Sequence, residues 1–388
     1  MRILTAGESH GPSLTAIIEG FPAGLTIDEA KINQALAMRQ QGYGRGNRMK
    51  IESDGVTFLS GIRHGMTLGS PITISIPNKD YQNWEAIMNP AAPTEAIKHE
   101  RKVTRPRPGH GDLVGGMKYQ HRDLRNVLER SSARETTLQV AIGALCKQLL
   151  EAIGIQTESK VTEIGGLQDL DYREELTESQ AKHLQVSSVR MCLPEVETAV
   201  IAKIDEAKRA GDTLGGAFQV KVTGVPAGVG SYVQHDRKLD GKLAGALMSL
   251  NAIKSVSIGL GHQLAGLPGS QVQDEITWEE TQGYRRKTNH LGGIEAGMSN
   301  GMPILVTGTM KPIPTLYQPL QSVDIETKEV FKASVERSDT CAVPACSRIA
   351  EHMIATTITQ AILEQFESDQ MPRLKQNIAD YRQYLQDF

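Results

Sequence analysis

Two histidines in this sequence sit in glycine-bracketed turns, a setting that suits proton transfer. His10 lies in Gly-Glu-Ser-His-Gly at 7–11, and His110 in Arg-Pro-Gly-His-Gly-Asp at 107–112. Glycine neighbours keep bulk away from an imidazole and let backbone approach a ligand closely. Histidine is also the side chain whose ordinary titration falls near neutral pH. Around His110 the stretch 105–136 carries Arg105, Arg107, Arg122, Arg125, Arg130 and Arg134. Pro106 and Pro108 stiffen its entry. Ser131, Ser132, Arg134 and Glu135 then lead into an apolar-periodic segment, the pattern of a capped helix start with outward N–H groups. Hydroxyls, arginines and a helix N-terminus together suit an anion such as a phosphate ester. A solvated basic loop ahead of an ordinary helix is the plainer alternative.

A second cationic stretch precedes this one. Gly42, Gly44 and Gly46 alternate with Tyr43, Arg45 and Asn47, flanked by Arg39 and Arg48. No GxxxxGK[ST] is present, and GxGxG without a preceding strand is weak evidence for a dinucleotide fold. A loop closing over a phosphorylated ligand fits better, with a solvated linker as the alternative. Later in the chain, Lys311-Pro312-Ile313-Pro314-Thr315 reads as a stiff strand exit carrying a lysine. Arg337-Ser338-Asp339 adds a late carboxylate beside an arginine.

Composition narrows the ligand. The 388 residues hold 42 basic and 45 acidic side chains, a net charge of -3, which speaks against a general polyanion binder. Yet eleven arginines fall between Arg39 and Arg134, so a small anionic ligand is favoured over nucleic acid. Aromatic content of 4% argues against a base-stacking platform. No apolar run approaches the ~20 residues that span a bilayer, and the first residues lack a signal-peptide pattern. Four scattered cysteines, Cys146, Cys192, Cys341 and Cys346, show no metal-ligand spacing, so no metal is expected. Free thiols in the cytoplasm are the simplest reading.

The positioning elements follow from periodicity. Strands are expected at 2–6 and 14–19, strand alternation over 50–77 through Val56, Phe58, Leu59, Ile62, Ile72, Ile74 and Ile76 with turns at Gly61, Gly65 and Gly69, and a helix from Thr26 or Asp28 to about Gln41. Residues 78–100 read as a surface excursion with Trp84. A long helix spans 135–153, with Leu138, Ile142, Leu145, Leu149 and Ile153 as its core stripe. The second half alternates strand 156–164, helices 178–184 and 194–210, strand 215–225, helix 239–250, and strands 255–260 and 303–309. Residues 261–301 are glycine-rich and aperiodic, as functional loops are. A final helix covers about 347–366, and the polar tail from 369 is expected to fray. The chain is thus read as one domain with two similar halves, about 1–154 and 155–368, and a tail at 369–388.

Taken together, GESHG at 7–11, RPGHGD at 107–112, RSSARET at 130–136 and RSD at 337–339 closely resemble the chorismate synthase family over nearly the whole chain. Departures are Gly111 where the family usually has Ala, Glu129 or Arg130 where it usually has Gly, and Ser338 and Thr340 where it often has His and Pro. The resemblance implies an α+β sandwich with a helical layer between antiparallel sheets, assembled as a homotetramer. It implies loss of phosphate and a C6 proton from 5-enolpyruvylshikimate-3-phosphate, with reduced FMN required. By motif it assigns His10, His110 and Asp339 to catalysis, and Arg48, Arg107, Arg134 and Arg337 to the substrate. Flavin contacts carried over are Arg130, Ser131, Ser132, Asn251, Ala252, Ala296, Lys311 to Thr315 and Arg337. Arg39 and Arg45 match positions linked to NADPH, or else anchor the loop to substrate phosphate. Either the protein reduces its own flavin or an external flavin reductase does so. A non-catalytic FMN or phosphosugar binder would use the same arginines and serines, but would not need two turn histidines and a late aspartate.

Overall fold

Alternating burial explains the first layer of the computed structural model, which describes residues 1–46, 54–92, 94, 97, 100–173, 175–281, 283–336 and 338–388. Strands β1 (Arg2–Ala6), β2 (Ser13–Glu19), β3 (Thr57–Ser60) and β4 (Ile72–Pro77) form an antiparallel sheet in the order β1-β2-β4-β3. Across β2 and β4, Leu14 pairs with Ile76, Ala16 with Ile74 and Ile18 with Ile72, and all six are buried. Such period-two patterning commits one sheet face to a core and pins the register.

A second antiparallel sheet comes from later chain: β5 (Gln156–Ile164), β6 (Leu167–Gln168), β7 (Gly216–Thr223), β8 (Ile253–Ile258) and β9 (Ile304–Met310), in the order β8-β9-β7-β5-β6. The helices are α1 (Glu29–Gln40), α2 (Asp112–Tyr119), α3 (Arg125–Ser131), α4 (Thr136–Ala152), α5 (Glu178–Val186), α6 (Pro194–Ala210), α7 (Leu239–Met248), α8 (Val343–Gln365) and α9 (Met371–Asp387).

Helices α4 and α8 form the middle layer. α4 packs on α1 and β2, and α8 on β5, β7 and α7. α8 is buried on nearly every side, as a helix walled by protein must be. Where the two helices touch, a Cβ on Gly143 would lie 2.3 Å from the Cβ of His352, so the close approach requires glycine. One apolar core continues through both sheets and the helices between them, from Ile18 and Ile74 through Leu145 and Ile354 to Phe218 and Val306. The fold is therefore the α+β sandwich that the motifs imply.

Four expectations change. The tail does not fray: α9 buries Met371, Leu374 and Ile378, a helical stripe that its polar composition hides. Residues 261–301 are not structureless, since they contain a one-turn helix at Gly269–Val272 and the hairpins Ile276–Glu279 with Gly283–Arg286 and Ile294–Glu295 with Met298–Ser299. Trp84 is not on the surface but 6% exposed. Finally, the arginine-rich stretch holds two helices, α2 and α3, before the expected one. Gly115 and Gly116 weaken any helical signal there. They are needed because Cβ atoms would come within 2.4 Å of Val127 and 2.5 Å of Leu124 on α3.

Candidate active site

The turn that carries His10 is fastened to α3. Ser9 N–H donates to the Glu129 carbonyl at 2.9 Å, and His10 N–H to Glu129 Oε2 at 2.8 Å. Arg130 reinforces the joint by donating to the Gly7 carbonyl at 3.1 Å and to Thr5 Oγ1 at 2.7 Å. The imidazole Nδ1 lies 2.9 Å from Glu129 Oε1 and 3.0 Å from Oε2. Nδ1–H therefore donates to a carboxylate whose side chain is 3% exposed. One ring face stacks on Trp84, with centroids 3.8 Å apart, and the Arg101 guanidinium lies 4.0 Å from the Trp84 centroid. Arg125 donates to Glu129 Oε1 at 3.3 Å. Burial pushes the Glu129 carboxyl up, but hydrogen bonds from His10, its charge and that of Arg125 outweigh burial and hold it below the usual range. Among the described residues no partner engages His10 Nε2.

His110 has a similar partner, built locally. Its Nδ1 is 2.6 Å from Asp112 Oδ1. Arg107 Nε donates to Asp112 Oδ2 at 2.9 Å, and its Nη1 to Thr315 Oγ1 at 3.0 Å. Asp112 is fully buried. Burial again pushes upward, and hydrogen bonds from His110 and Arg107 hold Asp112 well below the carboxylate range. Arg107 Nη2 also stands 3.1 Å from His110 Nδ1 and 3.3 Å from its Nε2. Nearly equal distances to the two ring nitrogens set the guanidinium across the imidazole, not along the Nε2 lone pair.

The remaining arginines are also committed to partners. Arg134, 6% exposed, donates through Nε to Asn78 Oδ1 at 2.8 Å and pairs with Asp54 at 2.7 Å. Asn78 in turn donates to the carbonyls of Glu8 and Gly11, so it ties Arg134 to the His10 turn. Arg39 is buried and donates to the Ala133 carbonyl at 2.9 Å and to Thr136 Oγ1. In the glycine-rich loop, Arg45 pairs with Asp339 Oδ2 at 2.8 Å, and Gly46 N–H donates to Asp339 Oδ1 at 2.7 Å. Arg39, Arg45, Arg105, Arg107, Arg125 and Arg134 of this cluster thus meet carboxylates within the fold. Arg48 and Arg337 lie outside the described residues.

The two serines differ from the expected caps. Ser131 ends α3 and donates back to the Val127 carbonyl at 2.8 Å. Ser132 caps only the short turn Ala133–Glu135, accepting from Arg134 N–H, and its hydroxyl also donates to Ser9 Oγ at 3.1 Å. α4 starts at Thr136 without a side-chain cap.

Other predicted residues gather beside these. Asn251 donates to the Ser131 carbonyl at 3.1 Å. Ala252, at φ 69°, accepts from Lys311 N–H next to a bulge in β8. Lys311 Nζ donates to the Gly109 carbonyl. The Ile313 carbonyl accepts from Thr213, and Pro314 lies beside Gly109. Pro312 opens the turn after β9. The Tyr317 hydroxyl reaches the Ser338 carbonyl at 3.5 Å, while Arg125 pairs with Glu336 at 3.2 Å. Segments 7–10, 107–112, 129–134, 251–252, 311–317 and 336–339 are thereby tied into one network. Ala296 stands apart, exposed at a hairpin turn with φ 51°. A cleft of about 450 Å³ between α1, α4 and α9 contains none of these groups. The convergent polar chemistry, and not that cleft, locates the site.

Comparison with known proteins identifies the family. The chorismate synthase family model matches residues 1–363. The chain is 57% identical to the chorismate synthases of Enterococcus faecalis and Lysinibacillus sphaericus, and 55% identical to that of Staphylococcus aureus, covering 100% of both chains in each case. The chain belongs to the chorismate synthase family. A crystal structure of chorismate synthase superimposes with a TM-score of 0.80 at 40% identity, over 100% of this chain and 98% of that one.

As a chorismate synthase, the protein is a carbon–oxygen lyase: it eliminates phosphate and a proton from 5-enolpyruvylshikimate-3-phosphate to give chorismate. Sequence reasoning missed the groups that hold the histidines and arginines in place. Asp112 had a visible signal, lying two residues from His110. Glu129, Asp54 and Asn78 had none, because their partners are 119, 80 and 56 residues away. Trp84 was misplaced because an isolated aromatic carries no periodicity.

Proposed function

We propose that this chorismate synthase works with reduced FMN, held along Arg130 to Ser132, Asn251, Ala252, Ala296, Lys311 to Thr315 and Arg337. The donor set suits a phosphate-bearing ring. Burial, and then the charge of Lys254, push the Lys311 ammonium below its usual value. Neither lysine pairs with a carboxylate among the described residues. Two facing cations of this kind would be relieved by an anion. Gly109, at φ 77°, leaves room beside Lys311 Nζ where a Cβ would come within 3.1 Å. When bound, reduced FMN supplies an electron-rich ring beside the reacting carbons.

The chain's own residues do the rest. Departing phosphate needs cations and a proton. His10, with Nε2 unengaged, donates that proton, and Arg48, Arg107, Arg134 and Arg337 bind the ester. His110 stabilises negative charge on the cofactor side, and Asp339 assists removal of the C6 proton. Arg45 is held by Asp339, which favours the loop-anchor role over contact with NADPH. Arg39 donates into α4, which favours the same reading. A homotetramer in the cytoplasm, with flavin reduced by NADPH or by a separate reductase, completes the proposal.

One observation carries it: two turn histidines, each with Nδ1 on a buried carboxylate, lie on segments joined by side-chain contacts. The test is an anaerobic assay with chemically reduced FMN and the enolpyruvyl substrate. Phosphate release should accompany chorismate absorbance. His10→Ala, His110→Ala and Asp339→Ala should each lose roughly 10²–10⁴-fold in rate while binding flavin normally. Loss of flavin binding alone would make these residues scaffold.

A further inference from the structure

We infer that Glu129 is the positioning residue for His10, selecting the tautomer that presents Nε2 to the substrate. The inference rests on the reading of His10 as proton donor. Three contacts from one carboxylate reach the His10 residue: Oε2 takes the backbone N–H at 2.8 Å, and both oxygens lie within 3.0 Å of Nδ1. A carboxylate accepts but cannot donate when ionised, so Nδ1 must carry the proton. The lone pair, or the second proton, then sits on Nε2. Trp84 closes one ring face, which leaves the imidazole little freedom to rotate. The charged groups around this unit are Glu129 and Arg125 from α3, Arg101 behind Trp84, and Asp80, which accepts from Trp84 Nε1 at 3.2 Å.

The chemistry follows from this geometry. When Nε2–H⁺ passes its proton to the leaving phosphate oxygen, the C–O electron pair goes to that oxygen. His10 becomes neutral with its proton on Nδ1, and Glu129 stays ionised throughout. A fixed tautomer and orientation is what a buried carboxylate behind a catalytic imidazole provides. Glu129 itself touches no reacting atom. Against burial, hydrogen bonds from His10 and its charge, and then Arg125 at 3.3 Å from Oε1, keep Glu129 charged.

Glu129→Gln tests this in the intact, FMN-loaded protein. The amide has nearly the same shape, but its NH₂ end can donate toward Nδ1 and so select the opposite tautomer. The expected result is a fall in kcat of about 10²-fold with KM for substrate and flavin affinity unchanged. Glu129→Asp, which restores the charge, should recover part of the rate. Nitrogen-15 spectra of labelled histidine should show the Nδ1–H form of His10 in the parent and a different or mixed population in Glu129→Gln. Activity within twofold of the parent would overturn the inference. So would a fall in activity with the parent tautomer retained, since Glu129 would then be scaffold. The spectra need no turnover: a parent protein that fails to make chorismate would defeat the functional reading while leaving the tautomer result readable.

Discussion

The two histidine units contain the same three parts, an imidazole, a buried carboxylate and an arginine, assembled in opposite ways. Around His110 all three lie within six consecutive residues, and Arg107 reaches both the Asp112 carboxylate and the imidazole. Around His10 the carboxylate and arginine come from α3, and Arg125 is shared among Glu129, Glu336 and the Arg101 carbonyl. The difference bears on chemistry. The Arg107 guanidinium lies against both His110 ring nitrogens and on Asp112, so that ring is part of an ion network first. His10 has an aromatic ring on its face and, among the described residues, no partner at Nε2, so Nε2 can exchange a proton while Nδ1 keeps its pair with Glu129. Similar parts therefore leave the two imidazoles in different surroundings, which favours the charge-holding role proposed for His110 and the proton-donating role proposed for His10.

The largest effect that would sharpen this contrast is on stability. Asp112→Asn leaves the Arg107 guanidinium, 7% exposed, without its counter-charge. Removing one partner of a buried pair costs roughly 3–5 kcal/mol. Urea unfolding should show a loss of that order, and a loss below about 1 kcal/mol would break the view of this unit as an ion network.

A smaller effect appears in pH. Asp112 is held below the usual range in the fold, against the upward push of burial. A carboxylate depressed on folding stabilises above its unfolded value, about 4, and that contribution is lost as pH falls through the folded value. The stability advantage of the parent over Asp112→Asn should thus be constant above about pH 4 and shrink below it. An advantage that grew with acid would contradict the assignment.

The smallest effect is expected at Gly111. Its φ of -71° suits any residue, and a Cβ would meet Ser131 at an ordinary 3.7 Å. Gly111→Ala, which restores the usual family residue, should change stability by no more than about 0.5 kcal/mol. A larger loss would mean that the contact between the 107–112 turn and the end of α3 is tighter than its geometry shows.

Much of this protein was legible in residue order alone. Arg2–Ala6, Gln156–Ile164 and Pro194–Ala210 were read with the bounds observed, because their patterning and caps are local. Asp28 was named as a possible cap for α1 and does accept from Lys31 N–H. The motifs around His10, His110 and Asp339 marked the family for the same reason: each is a short string. What the order of residues could not supply was pairing across the chain. Glu129 meets His10, Asp54 meets Arg134 and Trp84 meets the His10 ring only after α3 docks on the turn that follows β1. Such meetings depend on three-dimensional closure between distant segments, for which a linear pattern has no period. Residue types determined which proton-carrying and charged groups were available. The tertiary structure decided which carboxylate each one faces.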